Sequence, residues 1–283
     1  MKRRIKNIGA SVRRRLLEKA KKQGVDFNRL LLLYVQERFL YRLTHSQYRN
    51  AFVLKGGALF YAAHHLQARP TRDLDFLAGK IPSQPEAFGK VLRDVVAVEV
   101  ADGVVFDADS ISCQAITEGA MYEGVRAKVT AHLEAARQTL QIDAGFGDVV
   151  TPKPVHFEFP SLLDDKDFAI QAYSWESVIA EKFEAIVKLG DVNSRMKDFY
   201  DIWFLLANHE FEQEILNEAI TATFKHRKTN LGDAWYIFKA SFYNDPDKEK
   251  MWAAFFRKNG MIKTRSFSEI VLEIMSRLKA LKG

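Results

Sequence analysis

The chain has 283 residues, 47% of them hydrophobic and 28% charged, a composition typical of a water-soluble globular protein with one large or two modest domains. Its only cysteine, Cys113, excludes a disulfide framework and a zinc-cysteine cluster and fits a reducing compartment. No apolar run reaches the roughly 18 residues of a membrane span. The basic start MKRRIKNIGASVRRR lacks the apolar stretch of a secretory signal. We therefore expect a cytoplasmic protein.

Positive charge is concentrated at the start of the chain. Residues 1–22 carry a net charge of +9, so the rest of the chain carries −3 of the total of +6. A basic arm on a nearly neutral body favours a polyanionic partner, and nucleic acid is the commonest one. The alternative is a solvated helix face that only keeps the protein in solution.

The first elements follow from hydrophobic periodicity. Helical spacing over residues 11–46, interrupted at Gly24, predicts a helical hairpin. FVL then predicts a short strand, GALFYAAHHL a helix and LDFLA a second strand, with Pro70 and Thr71 in the turn. Residues 84–97 have a helical pattern.

The remaining sequence changes period twice. Between Gly103 and Phe159 the segments SISCQAIT, GVRAKVTAHL, TLQIDAGF and PVHFEF alternate like strands and should extend the same sheet. From Ser174 onward every segment has a helical pattern. The expected fold is α+β: a mixed sheet with flanking helices over residues 1–173, preceded by the basic helical hairpin, and an all-helical domain over residues 174–283.

The segment LKGGALFYAAHHLQARPTRDLDF, residues 54–76, combines a double glycine with two aspartates. A strand that ends in Gly56-Gly57 and enters a helix leaves backbone N–H groups at the helix N-terminus, which favours a phosphate. Asp73 and Asp75 project from one strand face, about 6.6 Å apart at their Cα atoms. Paired carboxylates beside a phosphate suit Mg²⁺. This layout favours phosphoryl or nucleotidyl transfer.

Asp143 is a candidate third carboxylate. It interrupts the apolar strand TLQIDAGF and shares a face with Gln141 and Gly145. An acid in a half-buried strand is costly unless it is paired, although an exposed face at a sheet edge would also accommodate it. Asp148, in a glycine-flanked turn, is interpreted as structural.

The helical half contains three further charged candidates. In VIAEKFEAIV, Lys182 intrudes on an apolar stripe and should face a nucleotide phosphate or an acid of the next helix. In SRMKDFYDIW, Asp198 shares a face with Arg195 and Ile202, while Asp201 lies four residues after Lys197, which favours a surface ion pair. Spacing alone favours structural roles for all three residues.

Together, FVLKGGALFYAAHHLQARPTRDLDF, LQIDAGFGD and VIAEKFEAIVKLGDVNSRMKDFYDIWFL resemble the AbiEii/AbiGii nucleotidyltransferase toxins, a branch of the DNA polymerase β-like nucleotidyltransferases. The resemblance spans nearly the whole chain, and the R-x-K-D-x-Y-D run is its most specific part. It implies a nucleotidyltransferase fold and a toxin of a toxin-antitoxin or phage abortive-infection system. It also implies a nucleoside triphosphate substrate, Mg²⁺ or Mn²⁺, tRNA acceptor ends as targets, and a cognate antitoxin, often a winged-helix repressor.

The resemblance also implies roles for individual residues. Gly56 and Gly57 would hold the triphosphate, with Lys55, Arg69 and Thr71 beside it. Metal ligands would be Asp73, Asp75 and Asp143. Lys182 would neutralise triphosphate charge, Asp198 would hold Lys182 or position the acceptor, and the helical domain would complete the active-site cleft. Many relatives have Ser or Thr where this chain has Ala58, so one hydroxyl contact to phosphate is missing.

The expected reaction is in-line attack of an acceptor hydroxyl on the α-phosphorus, with RNA or protein as the acceptor and pyrophosphate as the leaving group. Arg13, Arg14 and Arg15 are the candidate contacts to an RNA backbone. Two other classes remain open. A metal-dependent RNA nuclease could use the same acids, and a catalytically silent nucleotide-binding module would be consistent with Ala58.

Overall fold

The computed structural model describes residues 7–117, 123–163 and 166–278. Contacts divide the chain into two compact units, Met1–Gly147 with His156–Ala172, and Asp148–Val155 with Tyr173–Gly283. The segment Asp148–Val155 groups with the helical unit, where the Ser177 hydroxyl donates to the Thr151 carbonyl at 2.8 Å.

The first unit opens with the predicted pair of helices, α1 (Ile8–Gln23) and α2 (Phe27–Thr44). The Asn7 side chain caps α1 by accepting from the Ala10 N–H, and Gly24 ends it in the left-handed region at φ 63°. The Asp26 side chain caps α2 by accepting from the Arg29 N–H. These local signals explain why one continuous helical pattern forms two helices.

Helix α2 is buried on nearly all sides and carries charged groups into the core. Arg42 forms a bidentate pair with Asp102, at 2.6 Å between Nη1 and Oδ2 and 3.2 Å between Nη2 and Oδ1. The Tyr34 hydroxyl donates to the Asp102 carbonyl at 3.0 Å, and Glu37 accepts from the Leu162 N–H at 2.9 Å. Glu37 also forms an ion pair with Arg38, so the buried charges of α2 have charged partners, as burial requires.

Within the described ranges, seven strands form one mixed sheet in the order β3-β4-β5-β2-β1-β7-β6. Their bounds are β1 Phe52–Lys55, β2 Asp73–Ala78, β3 Val105–Thr117, β4 Glu123–Leu133, β5 Ala136–Phe146, β6 Val155–Phe159 and β7 Phe168–Ala172. Strand β1 is antiparallel to β2 and parallel to β7, β2 is parallel to β5, and β4 is antiparallel to β3 and β5. The sequence did not predict β7, which lies inside the sheet beside β1.

Helices α3 (Gly57–His64) and α4 (Pro85–Val96) complete the first unit, and the turn His65–Gln67 follows α3. One face of the sheet is apolar, since Leu74, Phe76 and Ile142 are fully buried. The opposite face of the same strands carries the aspartates. Because side chains alternate along each strand, one face of the sheet packs into the core and the other face carries the candidate site residues.

The second unit is helical. Its helices are α5 Trp175–Leu189, α6 Met196–Asn208, α7 Gln213–His226, α8 Ala240–Tyr243, α9 Pro246–Lys258 and α10 Phe267–Leu278. An aromatic cluster forms its core, in which Phe199 and Trp252 both pack on Phe267, with ring centroids 5.0 and 5.9 Å apart. The predicted α+β class, with a mixed sheet, an N-terminal helical pair and C-terminal helices, is confirmed. No helix of the described residues is long and apolar enough to cross a membrane.

Candidate active site

Three carboxylates meet on one face of the sheet. Asp73 and Asp75 lie on β2, and the parallel register between β2 and β5 places Asp75 directly opposite Asp143. Their neighbours Leu74 and Ile142 are buried on the other face, so all three acids project from the same side. One carboxylate oxygen from each lies within 4.8 Å of those of the other two. The structure thus brings together the three residues predicted as metal ligands.

The three carboxylates can hold a divalent cation. Carboxylate oxygens are hard ligands and suit Mg²⁺, which binds through one or two carboxylates together with substrate phosphates. Three like charges at this separation repel one another, and a cation bound among them relieves that repulsion. An ionised carboxylate offers about four lone-pair sites, so Asp143 keeps acceptor capacity beyond its hydrogen bonds inside the protein. The residues present therefore fit the metal that the sequence predicted.

Two basic residues flank the acids in a row across four strands. Lys55 on β1 lies opposite Asp75, and Arg126 on β4 lies opposite Asp143. Arg126 donates to both oxygens of Asp143, from Nε to Oδ1 at 2.9 Å and from Nη2 to Oδ2 at 2.7 Å. The order of charge across the sheet is positive, negative, negative, positive. Sequence reasoning did not identify Arg126, because only the strand register reveals its partner.

The double glycine packs against Asp75 and Thr71. Gly56 has φ 70°, in the left-handed region, and a Cβ placed on it would lie 2.1 Å from Asp75 Oδ2. A Cβ on Gly57, the first residue of α3, would lie 2.4 Å from Thr71 Oγ1. Because glycine has no Cβ, the backbone of this turn can approach Asp75 and Thr71 more closely than any other residue would allow. The first N–H groups of α3 lack intrahelical acceptors, so they can receive an anion beside the carboxylates.

Thr71 and Arg69 precede the acidic pair in the loop. The Thr71 hydroxyl lies 3.1 Å from Asp73 Oδ1 and 3.2 Å from the Asp73 carbonyl, so it can hold that carboxylate in place. The Arg69 guanidinium lies 3.5 Å from the Pro70 carbonyl. Ala58, the second residue of α3, is 1% exposed and packs in the core.

In the second unit, Lys182 of α5 is held by two acids of α6. Its Nζ lies 2.9 Å from Asp198 Oδ1 and 2.7 Å from Asp201 Oδ2. Arg195 Nε lies 2.8 Å from the other oxygen of Asp198. Of the two partners predicted for Lys182, the acid of the next helix is therefore present. Asp201 is 0% exposed, so the surface ion pair predicted between Asp201 and Lys197 was wrong; packing of α5 on α6 overrides the helical spacing.

The residue before Lys182 belongs to a second buried ionic cluster of the same unit. Arg227 forms ion pairs with Asp148 at 2.9 Å, Glu181 at 3.2 Å and Glu184 at 3.0 Å. Burial alone lowers the pKa of Arg227, but Glu181 and Asp148 outweigh it and raise that pKa above its ordinary value. Burial, followed by the charge of Glu181, also raises the pKa of the Tyr173 hydroxyl well above its ordinary value. This network accounts for Asp148 as a structural residue, as the sequence predicted.

The Asp201→Asn substitution is expected to destabilise the second unit by about 3 kcal/mol, because it breaks a buried ion pair and leaves part of the charge of Lys182 uncompensated. Urea unfolding measures the change. The matched control is Asp247→Asn, which removes an exposed carboxylate paired with Lys250 and should leave the midpoint unchanged. Equal midpoints for the two variants would contradict the buried pair.

The three candidate RNA contacts on α1 differ in their surroundings. Arg13 lies 5.8 Å from the centroid of the Phe27 ring, and Arg14 is exposed and 3.9 Å from Glu18. Arg15 is half-buried and donates to the Leu163 carbonyl. Arg13 and Arg14 can therefore meet a ligand, whereas Arg15 also anchors α1 to the unit. The basic residues Lys2, Arg3, Arg4 and Lys6 lie outside the described residues.

The chain is similar to a known protein family and to solved structures. The chain matches the family described as nucleotidyl transferase AbiEii toxin, Type IV toxin-antitoxin system, over residues 38–271. It is similar to JHP933 from Helicobacter pylori, with 16% identity, a TM-score of 0.47, and coverage of 90% of this chain and 95% of that one. A candidate nucleotidyltransferase from H. pylori is similar at 16% identity and TM-score 0.46, over 92% and 100%. No curated protein gives a significant match. The family match spans all three motifs and confirms the resemblance seen in the sequence.

Proposed function

Because the chain belongs to the AbiEii family of nucleotidyltransferase toxins, we propose that it transfers a nucleoside monophosphate from a nucleoside triphosphate to the 3′ end of tRNA, with Mg²⁺ held by Asp73, Asp75 and Asp143. The observation that carries this proposal is the contact of the Gly56-Gly57 turn with the carboxylate cluster. We infer from this contact that a phosphate site and a metal site would lie side by side, which is the arrangement that nucleotidyl transfer requires.

The proposed mechanism assigns a task to each group of residues. The N–H groups at the start of α3 bind the triphosphate, and Lys55, Arg69 and Thr71 line the same end of the sheet. An acceptor hydroxyl oxygen forms a bond to the α-phosphorus while the bond to the bridging oxygen breaks; pyrophosphate leaves and the hydroxyl proton passes to water. The bound divalent cation would supply charge neutralisation at the phosphate oxygens. Most of the rate enhancement would come from positioning and fixed charge.

Lys182 and Asp198 complete the proposed catalytic set. We assign Lys182 to the charge of the triphosphate and Asp198 to holding Lys182. The 2.9 Å contact between these two side chains supports the second assignment. With Asp201 also bound to Lys182, two carboxylates fix the position of the ammonium before any substrate binds.

The test incubates the purified protein with Mg²⁺, total tRNA and each α-labelled nucleoside triphosphate in turn, beside an Asp73→Ala, Asp75→Ala double variant. Label on tRNA from one nucleotide, absent with the variant, is the expected result and identifies the donor. Label on protein would keep the transferase and change the acceptor. Shortened tRNA without label would indicate a nuclease, and bound nucleotide without pyrophosphate release would indicate a silent binding module.

The family also implies a cognate antitoxin, and we propose a winged-helix repressor for this role. A tRNA acceptor would be met in the cytoplasm, which is where we propose that the protein acts. Expression of the wild-type chain without the antitoxin should stop growth, and expression of the Asp73→Ala, Asp75→Ala variant should not. Growth arrest by both proteins would separate toxicity from nucleotidyl transfer.

The basic helix α1 is proposed to contact the RNA backbone through Arg13 and Arg14. Reversing both charges to Glu should weaken tRNA binding and reduce the slope of log K against log salt by about 1.8, or roughly 0.9 for each lost phosphate contact. Fluorescence anisotropy at several salt concentrations measures this slope. The control reverses Lys90 and Lys258, two exposed lysines on other helices. An unchanged slope in the α1 variant would leave α1 with another role, such as antitoxin docking.

A further inference from the structure

The arginine opposite Asp143 has no role among the residues that the family motifs identify. Arg126 lies on β4, in a segment that the sequence predicted only as a strand. Its guanidinium donates through Nε and Nη2 to the two separate oxygens of Asp143. Such a bidentate fork fixes the plane of a carboxylate as well as its charge. A lysine at this position could balance the charge of Asp143 but could not fix the plane of its carboxylate.

The surroundings of the pair indicate a function in the cluster. The Asp143 side chain is 14% exposed and that of Arg126 is 34% exposed, so the arginine covers the acid from the β4 side. The β2 side of Asp143 is occupied by Asp75, its register partner. Gln141 Nε2 also donates to Asp143 Oδ2 at 3.3 Å. Arg126 on β4 and Gln141 on β5 thus hold the Asp143 carboxylate, while Asp73 and Asp75 lie on the β2 side.

We propose that Arg126 is a positioning residue of the metal site: it holds the Asp143 carboxylate in the plane and rotamer in which the one acceptor site left by its hydrogen bonds can serve the cation shared with Asp73 and Asp75. This inference rests on the proposed function through its assignment of the three acids as metal ligands. Hydrogen-bonding partners of ligating carboxylates affect metal affinity or activity by roughly 10- to 100-fold. Arg126 has the geometry of such a partner.

The first test measures Mn²⁺ binding to the metal-free, full-length protein without nucleotide, by electron paramagnetic resonance of free Mn²⁺. Arg126→Gln is expected to weaken binding by about 10- to 100-fold, and Arg126→Lys by a smaller factor because it keeps the charge and loses the fork. The control is Lys128→Gln, an exposed residue two positions along the same strand and on the same face, and it should bind like wild type. If Arg126→Gln binds Mn²⁺ as tightly as wild type, or more tightly, Arg126 is only a counter-charge and the proposal is overturned.

A double-mutant cycle tests whether Arg126 acts through Asp143. The Asp143→Asn variant should lose Mn²⁺ affinity, and adding Arg126→Gln should cause no further loss, because the arginine then has no carboxylate to position. Multiplicative losses would overturn the proposal. If Arg126→Gln fails to fold, the same cycle with Arg126→Lys tests whether residue 126 acts through Asp143.

The outcomes for this inference and for the proposed function are separable. A protein whose Mn²⁺ affinity depends on Arg126 but which transfers no nucleotide would keep the positioning role and reject the proposed function. A wild-type protein that transfers nucleotide without binding Mn²⁺ in the triad would keep the transferase activity but reject both the metal assignment of the three acids and the positioning role of Arg126.

Discussion

Replacing Gly56 with alanine is expected to abolish nucleotidyl transfer and to destabilise the first unit more than any other single methyl addition in the turn. The backbone at Gly56 has φ 70°, and the new Cβ would lie 2.1 Å from Asp75 Oδ2 and 2.8 Å from its Cγ. Either the turn or the carboxylate has to move. Because Asp75 belongs to the triad, a displacement of about 1 Å should reduce the rate by roughly 100-fold, and loss of its place in the cluster should reduce it further.

Gly24→Ala is the matched control for this substitution. Gly24 has φ 63°, close to that of Gly56, but nothing lies within 4 Å of the added Cβ. Its cost should therefore be the left-handed strain alone, about 1–2 kcal/mol, with label transfer unchanged. Urea unfolding and the labelling assay separate the two contributions. A Gly56→Ala protein that is as active and as stable as Gly24→Ala would show that the turn does not contact the acidic strand.

Local sequence signals were sufficient to predict most of the fold. Helices α1 and α2 are separated by Gly24 and capped by Asp26, which are features of a few neighbouring residues. Strand β2 alternates between buried and half-buried residues with period two, and so it was predicted with its two aspartates on one face. Strand β7 was missed because its place in the sheet depends on pairing with β1, a partner far away in the chain.

The candidate site was predictable only in part, because its charges are paired by tertiary contacts. Asp143 could be proposed from an acid in an apolar strand, but its pairing with Arg126 depends on the register of two strands. The Lys197–Asp201 spacing predicted a surface pair, whereas Asp201 is buried against Lys182. A usable signal was present: Asp201 lies between Tyr200 and Ile202, both buried, and an acid in such surroundings needs a partner outside its own helix.

The Asp75→Asn substitution tests the metal site directly and should separate activity from stability. Asparagine has nearly the same shape, so the close approach to Gly56 is kept while one negative charge is lost. If Asp75 ligates the cation, nucleotidyl transfer should fall by about a thousandfold, which corresponds to ~4 kcal/mol of transition-state stabilisation. Without divalent cations the Tm should change little, because relief of repulsion with Asp143 offsets the lost attraction to Lys55, its register partner.

Thermal unfolding with and without Mg²⁺ gives this prediction a readout independent of catalysis. A cation at one hundred times its Kd stabilises the wild-type fold by about 2.7 kcal/mol, and this increment should vanish in Asp75→Asn. Asp109→Asn, which removes an exposed acid from the same sheet, should keep both the increment and the activity. If Asp75→Asn retained the Mg²⁺ increment but lost activity, the carboxylate would act on the substrate and not on the metal. The cation would then have to be held by Asp73 and Asp143, which are not direct register partners of each other.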